Sequence, residues 1–256
     1  MLFPTIIYGP IRSRRLGVSL GINLMPTNAK LCTFDCVYCE CGWNQPISHP
    51  ALPTREEVSS NLELQLASML QNHEPMPNVI TFSGNGEPTL HPDFLGIIRD
   101  TCTLRDKYCP EAKVTVLSNS TQLFRNDVIE ALRLCDNRIL KLDSAITSSM
   151  RLIDKPLNPN LTVEDLIDRL ALLGGDFTLQ TCFLTGTYKG QIIDNTTPEE
   201  LEAWYQAIEN LHPKQVMIYV IDRETPLKTL SKIPAEKMEQ IAAPLRAKGI
   251  EVIVSV

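Results

Sequence analysis

Asn78-Val79-Ile80-Thr81-Phe82-Ser83-Gly84-Asn85-Gly86-Glu87-Pro88 sets a short apolar run, rich in β-branched residues, directly against a glycine turn and a proline. A run of this kind bounded by breakers reads as a buried strand. The same pattern recurs outward in both directions. Runs at 16–24, 113–117, 138–142, 177–184, 215–220 and 251–254 have similar length and composition, and stretches of helical periodicity fill the gaps. Strands alternating with helices predict an α/β fold of βα units around a parallel sheet.

Helix starts are marked at Thr54 and Thr197, each with Glu three residues on, the second with Pro198 at the first helical position. Further helices are predicted over 93–107, 125–135, 163–173 and 234–248, the last ended by Gly249 and kinked or broken at Pro244. The chain has 256 residues, 43% hydrophobic and 21% charged, with no repeat or linker that would divide it, so one domain over 1–256 is expected. Its apolar runs fall far short of the ~20 residues that span a membrane. Met1-Leu2-Phe3-Pro4-Thr5 lacks the basic and apolar regions of a secretory signal. A cytoplasmic location without membrane association is expected, where thiols stay reduced. The net charge of −6 disfavours a protein that grips nucleic acid through its phosphates, although Arg12, Arg14 and Arg15 form a local basic cluster.

In sheets of parallel strands, function gathers at the carboxyl ends of the strands. Cys32-Thr33-Phe34-Asp35-Cys36-Val37-Tyr38-Cys39 lies at one such end and has the form C-x3-C-x2-C. Two chemistries fit it. Three thiolates can hold three irons of a 4Fe–4S cluster and leave the fourth iron open to a chelating ligand. Alternatively, Cys41 supplies a fourth thiolate to a zinc knuckle, and the chain is a zinc-stabilised, non-enzymatic binding module.

The cysteine loop, taken with Ser83-Gly84-Asn85-Gly86-Glu87-Pro88, resembles the radical S-adenosylmethionine (radical SAM) superfamily, with Asn85 where that superfamily's glycine-glycine-glutamate-proline motif usually has its first glycine. The resemblance implies that Cys32, Cys36 and Cys39 ligate the cluster and that Tyr38 lies near the adenine. It implies further that Gly84, Asn85, Gly86 and Glu87 hold the methionine end, with Ser118, Asn119, Asp143 and Ser144 contacting the cofactor past later strands. Asn85 is expected there because Asn tolerates unusual torsions. A narrower likeness, carried by Gly9–Gly17, Cys32–Glu40, Lys141-Leu142-Asp143, Asp194-Asn195 and Asp222–Pro226, is to a small iron–sulfur oxidoreductase family related to the wyosine-forming tRNA enzymes. Reductive cleavage of S-adenosylmethionine to a 5′-deoxyadenosyl radical and hydrogen abstraction from a substrate are then expected. With about six parallel βα units, the expected fold is a partial, incomplete TIM-like barrel.

Asp143, Asp194, Asp222 and Arg223 are substrate-side candidates, with an ordinary rim salt bridge as the alternative for the charged ones. Cys41 is read as a spare thiol, and Cys102, Cys109, Cys135 and Cys182 as small buried hydrophobes. His49, His73, His91 and His212 lack ligand spacing and read as turn residues. The resemblance calls for a reductant protein such as flavodoxin or ferredoxin. The substrate is left open among a tRNA base, a partner enzyme activated by a glycyl radical, a peptide and a small molecule.

Overall fold

The computed structural model describes residues 2–13, 17–46 and 50–256; Arg14, Arg15, Leu16 and His49 lie outside the described residues, and with them most of the basic cluster. The chain divides into two compact units, Met1–Cys32 with Asn44–Ser118 and Gln122–Arg138, and Thr33–Trp43 with Asn119–Thr121 and Ile139–Val256.

In the first unit β1 (Ile7–Ser13) pairs antiparallel with β2 (Gly17–Ile22), and β2, β3 (Val79–Phe82) and β4 (Lys113–Ser118) follow in parallel, with Leu20 beside Ile80 and Ile80 beside Val114. Helix α1 (Arg55–Gln71) connects β2 to β3, α2 (Phe94–Tyr108) connects β3 to β4, and α3 (Asn126–Leu134) follows β4. The capping box predicted at Thr54 is present: its hydroxyl accepts the Glu57 N–H while Glu57 accepts the Thr54 N–H. All four residues of β3 are buried, as expected of a strand in a parallel sheet. Leu62 and Leu66 of α1 and Phe94 and Ile98 of α2 are fully buried, and burial of such side chains contributes roughly 1.5–3 kcal/mol each. The strand β1 escapes the sequence reading because Gly9-Pro10 interrupts its alternation. It is fitted to β2 through Tyr8, whose ring lies where a Cβ on Gly21 would be 2.1 Å away.

In the second unit β5 (Asn137–Lys141, its first two residues in the first unit) is followed by α4 (Thr147–Ile153), α5 (Val163–Ala171), β6 (Thr178–Tyr188), β7 (Gln191–Asp194), α6 (Pro198–Leu211), β8 (Gln215–Val220), β9 (Ser231–Lys232), α7 (Ala235–Ala247) and β10 (Val252–Ser255). Strands β5, β6, β8 and β10 are parallel neighbours in that order, and the far half of β6 pairs antiparallel with β7 and β9. Trp204 of α6 packs edge-on to Phe183 at 5.1 Å and donates its indole N–H to Thr181 at 2.9 Å. Pro244 does not break α7, which runs through it. Pro244 is exposed, on a face where a carbonyl lacking its helical partner can bond water. All seven strand runs read from the sequence are strands here. Helix α4 makes only two turns, and β7 and β9 are mostly exposed with at most two adjacent apolar residues, so none leaves a periodic or apolar-run signal. Cys109, Cys135 and Cys182 are buried as expected, and Cys102 is half-buried. No helix of the described residues is long and apolar enough to cross a membrane.

Candidate functional site

The glycine motif belongs to the first unit. Leaving β3, the chain turns through Gly84 and Gly86 at φ of +127° and +149°. Both turns are enforced by near neighbours: a Cβ on Gly84 would lie 2.6 Å from Asn23 Oδ1, and one on Gly86 1.8 Å from the Leu31 carbonyl oxygen. Asn85 between them is not in the left-handed region, so torsional tolerance is not its role. Its side chain is fully buried, accepts the Phe3 N–H at 2.8 Å and donates to the carbonyls of Phe3 and Pro26 at 2.9 and 2.8 Å. Asn23, also buried, accepts the backbone N–H groups of Met25 and Asn85.

The motif is also bonded to the chain that enters the cysteine loop. Leu31 N–H donates to Asn85 O at 2.9 Å, and Glu87 N–H donates to Leu31 O at 3.1 Å. Glu87 is buried, and its Oε1 accepts from Thr89 N–H, Thr89 Oγ1 and Ser118 Oγ at 3.1, 2.6 and 2.8 Å. Of the predicted contacts past β4, Ser118 is thus tied to the glycine motif.

Most of the cysteine loop belongs to the second unit. It is pinned along the end of α4 by Asp35 N–H to Asp154 O, Val37 N–H to Ile153 O and Leu157 N–H to Thr33 O, all at 2.9 Å. Asn119 donates to Thr33 Oγ1 at 2.8 Å, which holds the loop from a second direction. Cys32, Cys36, Cys39 and Cys41 are all half-buried thiols in no disulfide. Among the described residues no three His, Cys, Asp or Glu side chains stand together at metal-binding spacing.

Around Cys36 is a buried polar network. The ammonium of Lys141, at the end of β5, is 3.5 Å from Cys36 Sγ, 2.5 Å from Asp143 Oδ2 and 2.6 Å from Asp154 Oδ1, and donates to the Tyr38 hydroxyl. Tyr38 in turn donates to Asp143 Oδ2 at 2.5 Å. Burial alone would lower the Lys141 pKa, but Asp143 and Asp154 dominate and hold it well above its usual value. Burial, then the Asp143 charge, pushes the Tyr38 phenol well up. Burial raises Asp154 to about 7 against the pull of Lys141. Asp143 is fixed at its other oxygen by the Cys182 N–H at 2.9 Å, and its carbonyl accepts from Asn195 Nδ2 at 2.8 Å.

The remaining candidates scatter. Ser144 donates to buried Glu200 at 2.7 Å and accepts the Ile146 N–H, joining the starts of α4 and α6. Asp194 accepts from the Thr196 N–H and hydroxyl and borders a cavity of about 240 Å³ with Ile146, Ile192 and Glu199. Asp222 pairs with Lys232 at 3.4 Å, and Arg223 with Glu40 at 2.8 Å, both as exposed ion pairs. Asn23 and Asp154 receive no role from the sequence, and Lys141 and Asn195 enter it only through the narrower resemblance; a polar residue within or just after an apolar run is the signal each left.

Residues 29–178, more than half of the chain, match the radical SAM superfamily. A UPF0026 protein of Helicobacter pylori (strain ATCC 700392 / 26695) is 26% identical over 227 residues, 88% of this chain and 69% of that protein. A radical SAM methyltransferase from Sphaerobacter thermophilus aligns with TM-score 0.65 and 15% identity over 92% of this chain, and TYW1 with a lysine–pyruvate adduct bound aligns with TM-score 0.62 and 14% identity over 90%. The chain spans 65% of the methyltransferase and 73% of TYW1, and only 32% of another curated relative. The structural likeness carries the fold, which is the α/β partial-barrel class expected from the sequence. The sequence match carries the family: this chain belongs to the radical SAM superfamily, enzymes that work with a 4Fe–4S cluster and S-adenosylmethionine.

Proposed function

We propose that Cys32, Cys36 and Cys39 hold the cluster, that Gly84 to Glu87 receive the methionine end of S-adenosylmethionine, and that the chain abstracts hydrogen from an organic substrate. The observation that carries this reading is the pair of backbone bonds joining Leu31, next to Cys32, to Asn85 and Glu87. They set the glycine motif against the start of the cysteine loop, where one cofactor could meet both.

The residues present fit these groups. The thiols are in no disulfide and only half-buried, and thiolates are the ligands such clusters take. Gly84 and Gly86 expose backbone at a turn that no side chain can enter, and Glu87 supplies a buried carboxylate suited to an ammonium. When bound, the cluster and S-adenosylmethionine supply the one-electron chemistry that generates the 5′-deoxyadenosyl radical. The chain's own residues orient and enclose. Ser118 fixes the Glu87 carboxylate, Asn119 fixes Thr33 beside Cys32, and Asp143 fixes Lys141 and Tyr38. Tyr38 presents its ring near the adenine while its hydroxyl stays anchored. Ser144 contributes by setting the α4–α6 junction, and Asp194, Asp222 and Arg223 remain on the substrate side. A flavodoxin or ferredoxin in the cytoplasm is the proposed electron source.

The test is anaerobic reconstitution with iron and sulfide, reduction with excess S-adenosylmethionine, and chromatographic detection of 5′-deoxyadenosine. Product that depends on all three motif cysteines supports the reading. Stoichiometric zinc retained through anaerobic purification, with no iron–sulfur chromophore, overturns it in favour of the zinc-stabilised binding module.

A further inference from the structure

We propose that Lys141 is a positioning residue that holds a fixed cation against the Cys36 sulfur and thereby raises the reduction potential of the cluster; this rests on the cluster being held by Cys32, Cys36 and Cys39. An ammonium has three N–H donors and no acceptor. Here it is surrounded by acceptors on all the sides the structure gives: Asp143 Oδ2 at 2.5 Å, Asp154 Oδ1 at 2.6 Å, the Tyr38 oxygen, and Cys36 Sγ at 3.5 Å. The Lys141 side chain is 11% exposed and those of Asp143 and Asp154 are 0% and 2% exposed, so water screens the two ion pairs only weakly.

The ammonium has nowhere else to go. Asp143 is held at Oδ1 by the Cys182 N–H and at its carbonyl by Asn195, each a contact to a different strand or strand end. Asp154 belongs to the segment whose carbonyl bonds Asp35 N–H of the cysteine loop, so the loop and the carboxylate that steadies Lys141 are positioned together. The Lys141 ring contacts agree: its Nζ stands 4.5 Å from the Tyr38 centroid and 5.9 Å from that of Phe34, both residues of the loop.

Hydrogen bonds to the sulfurs and net charge are two of the levers that set an iron–sulfur potential. Gaining an electron makes the cluster more negative, so a donor and positive charge at a ligand sulfur favour the reduced state, while a carboxylate beside it disfavours it. Above pH 8, where Asp154 is ionised and where the titrations are run, Lys141 and Asp154 therefore act in opposite directions. That opposition separates an electrostatic role from one of packing alone, in which both variants would only loosen the loop.

The experiment is a potentiometric titration followed by electron paramagnetic resonance on the reconstituted protein without S-adenosylmethionine, comparing wild type, Lys141→Met, Lys141→Arg and Asp154→Asn. At the wild-type midpoint, Lys141→Met is expected to lower the reduced-to-oxidised ratio about tenfold, which is ~59 mV for one electron. Lys141→Arg keeps the charge and is expected to restore most of that shift, and Asp154→Asn to move the midpoint upward. Unchanged midpoints in both Lys141→Met and Asp154→Asn overturn the proposal. If Lys141→Met fails to assemble a cluster, the direction of the Asp154→Asn shift decides alone: upward supports the proposal, and unchanged or downward overturns it. Failure of the wild type to assemble any iron–sulfur cluster instead removes the ligand assignment on which the proposal stands.

Discussion

Gly86 and Leu31 approach so closely that a methyl group on Gly86 would stand 1.8 Å from the Leu31 carbonyl oxygen, while that same oxygen accepts the Glu87 N–H at 3.1 Å. The contact cannot be relieved by a side-chain rotation, since both partners are backbone. Gly86→Ala is therefore expected to lose about 3 kcal/mol of stability or more, from strain and displaced hydrogen bonds together. Gly42→Ala, also at positive φ but with nothing within 4 Å, is expected to lose about 1–2 kcal/mol. Denaturant titration of both variants checks this, and equal losses would show that close approach is not what Gly86 provides.

Asn85→Gly restores the residue usual in the superfamily motif, yet it is expected to destabilise this chain. It removes three hydrogen bonds that tie Phe3 and Pro26 to the turn, with a loss of roughly 2–3 kcal/mol. The measurement is the urea midpoint. A variant as stable as wild type would mean that water replaces the side chain.

Cys36→Ala and Cys41→Ala should part company. The first is expected to lose iron and acid-labile sulfide after anaerobic reconstitution, and the second to retain both. Metal and sulfide analysis reads the result directly, and parallel losses would place Cys41 among the ligands.

His91 makes stability depend on pH in a specific window. It is buried, its Nε2 lies 2.8 Å from Pro53 O, and its Nδ1 accepts the Asp93 N–H, so the ring is neutral with its proton on Nε2. Burial lowers its pKa below the ordinary 6.5, outweighing the Pro53 bond. The unfolded chain then binds more protons than the folded one just below pH 6.5, so this contribution to stability is complete above 6.5 and falls away as the pH drops toward the depressed folded pKa. His91→Gln is expected to flatten that part of the stability curve. The check is a series of denaturant midpoints between pH 7 and 5, compared between the two proteins.

The parallel strands were legible because each is an apolar run between breakers, and the helix starts because Thr54 and Thr197 carry their caps within four residues. The cysteine and glycine motifs stood out by their spacing, and the resemblance to the superfamily gave them their expected roles. What escaped is what depends on distant partners. Lys141, Asp154 and Asn195 are far apart in sequence, and nothing local to any of them states that the strands and α4 bring them around Asp143. Asn85 was visible, but its reason was not: the sequence suggested backbone torsion, whereas the structure gives it three side-chain bonds to residues 59 to 82 positions away. His91 lies in a turn as the sequence suggested, but the bond of its ring to Pro53, 38 positions upstream, left no local signal.

Strand β6 is shared. Its first six residues pair with β8, the first three of them also with β5, and its last five pair with β7 or β9, so four other strands of the second unit lose a partner if it detaches. Amide hydrogens along Leu179 to Phe183 can then exchange with solvent only when the whole unit opens, whereas those of β10, bonded along one side to β8, can exchange by local fraying. The slowest-exchanging backbone of that unit is thus the segment that carries Cys182, whose N–H holds Asp143. The anchor of the buried polar network sits on the part of the unit that opens last.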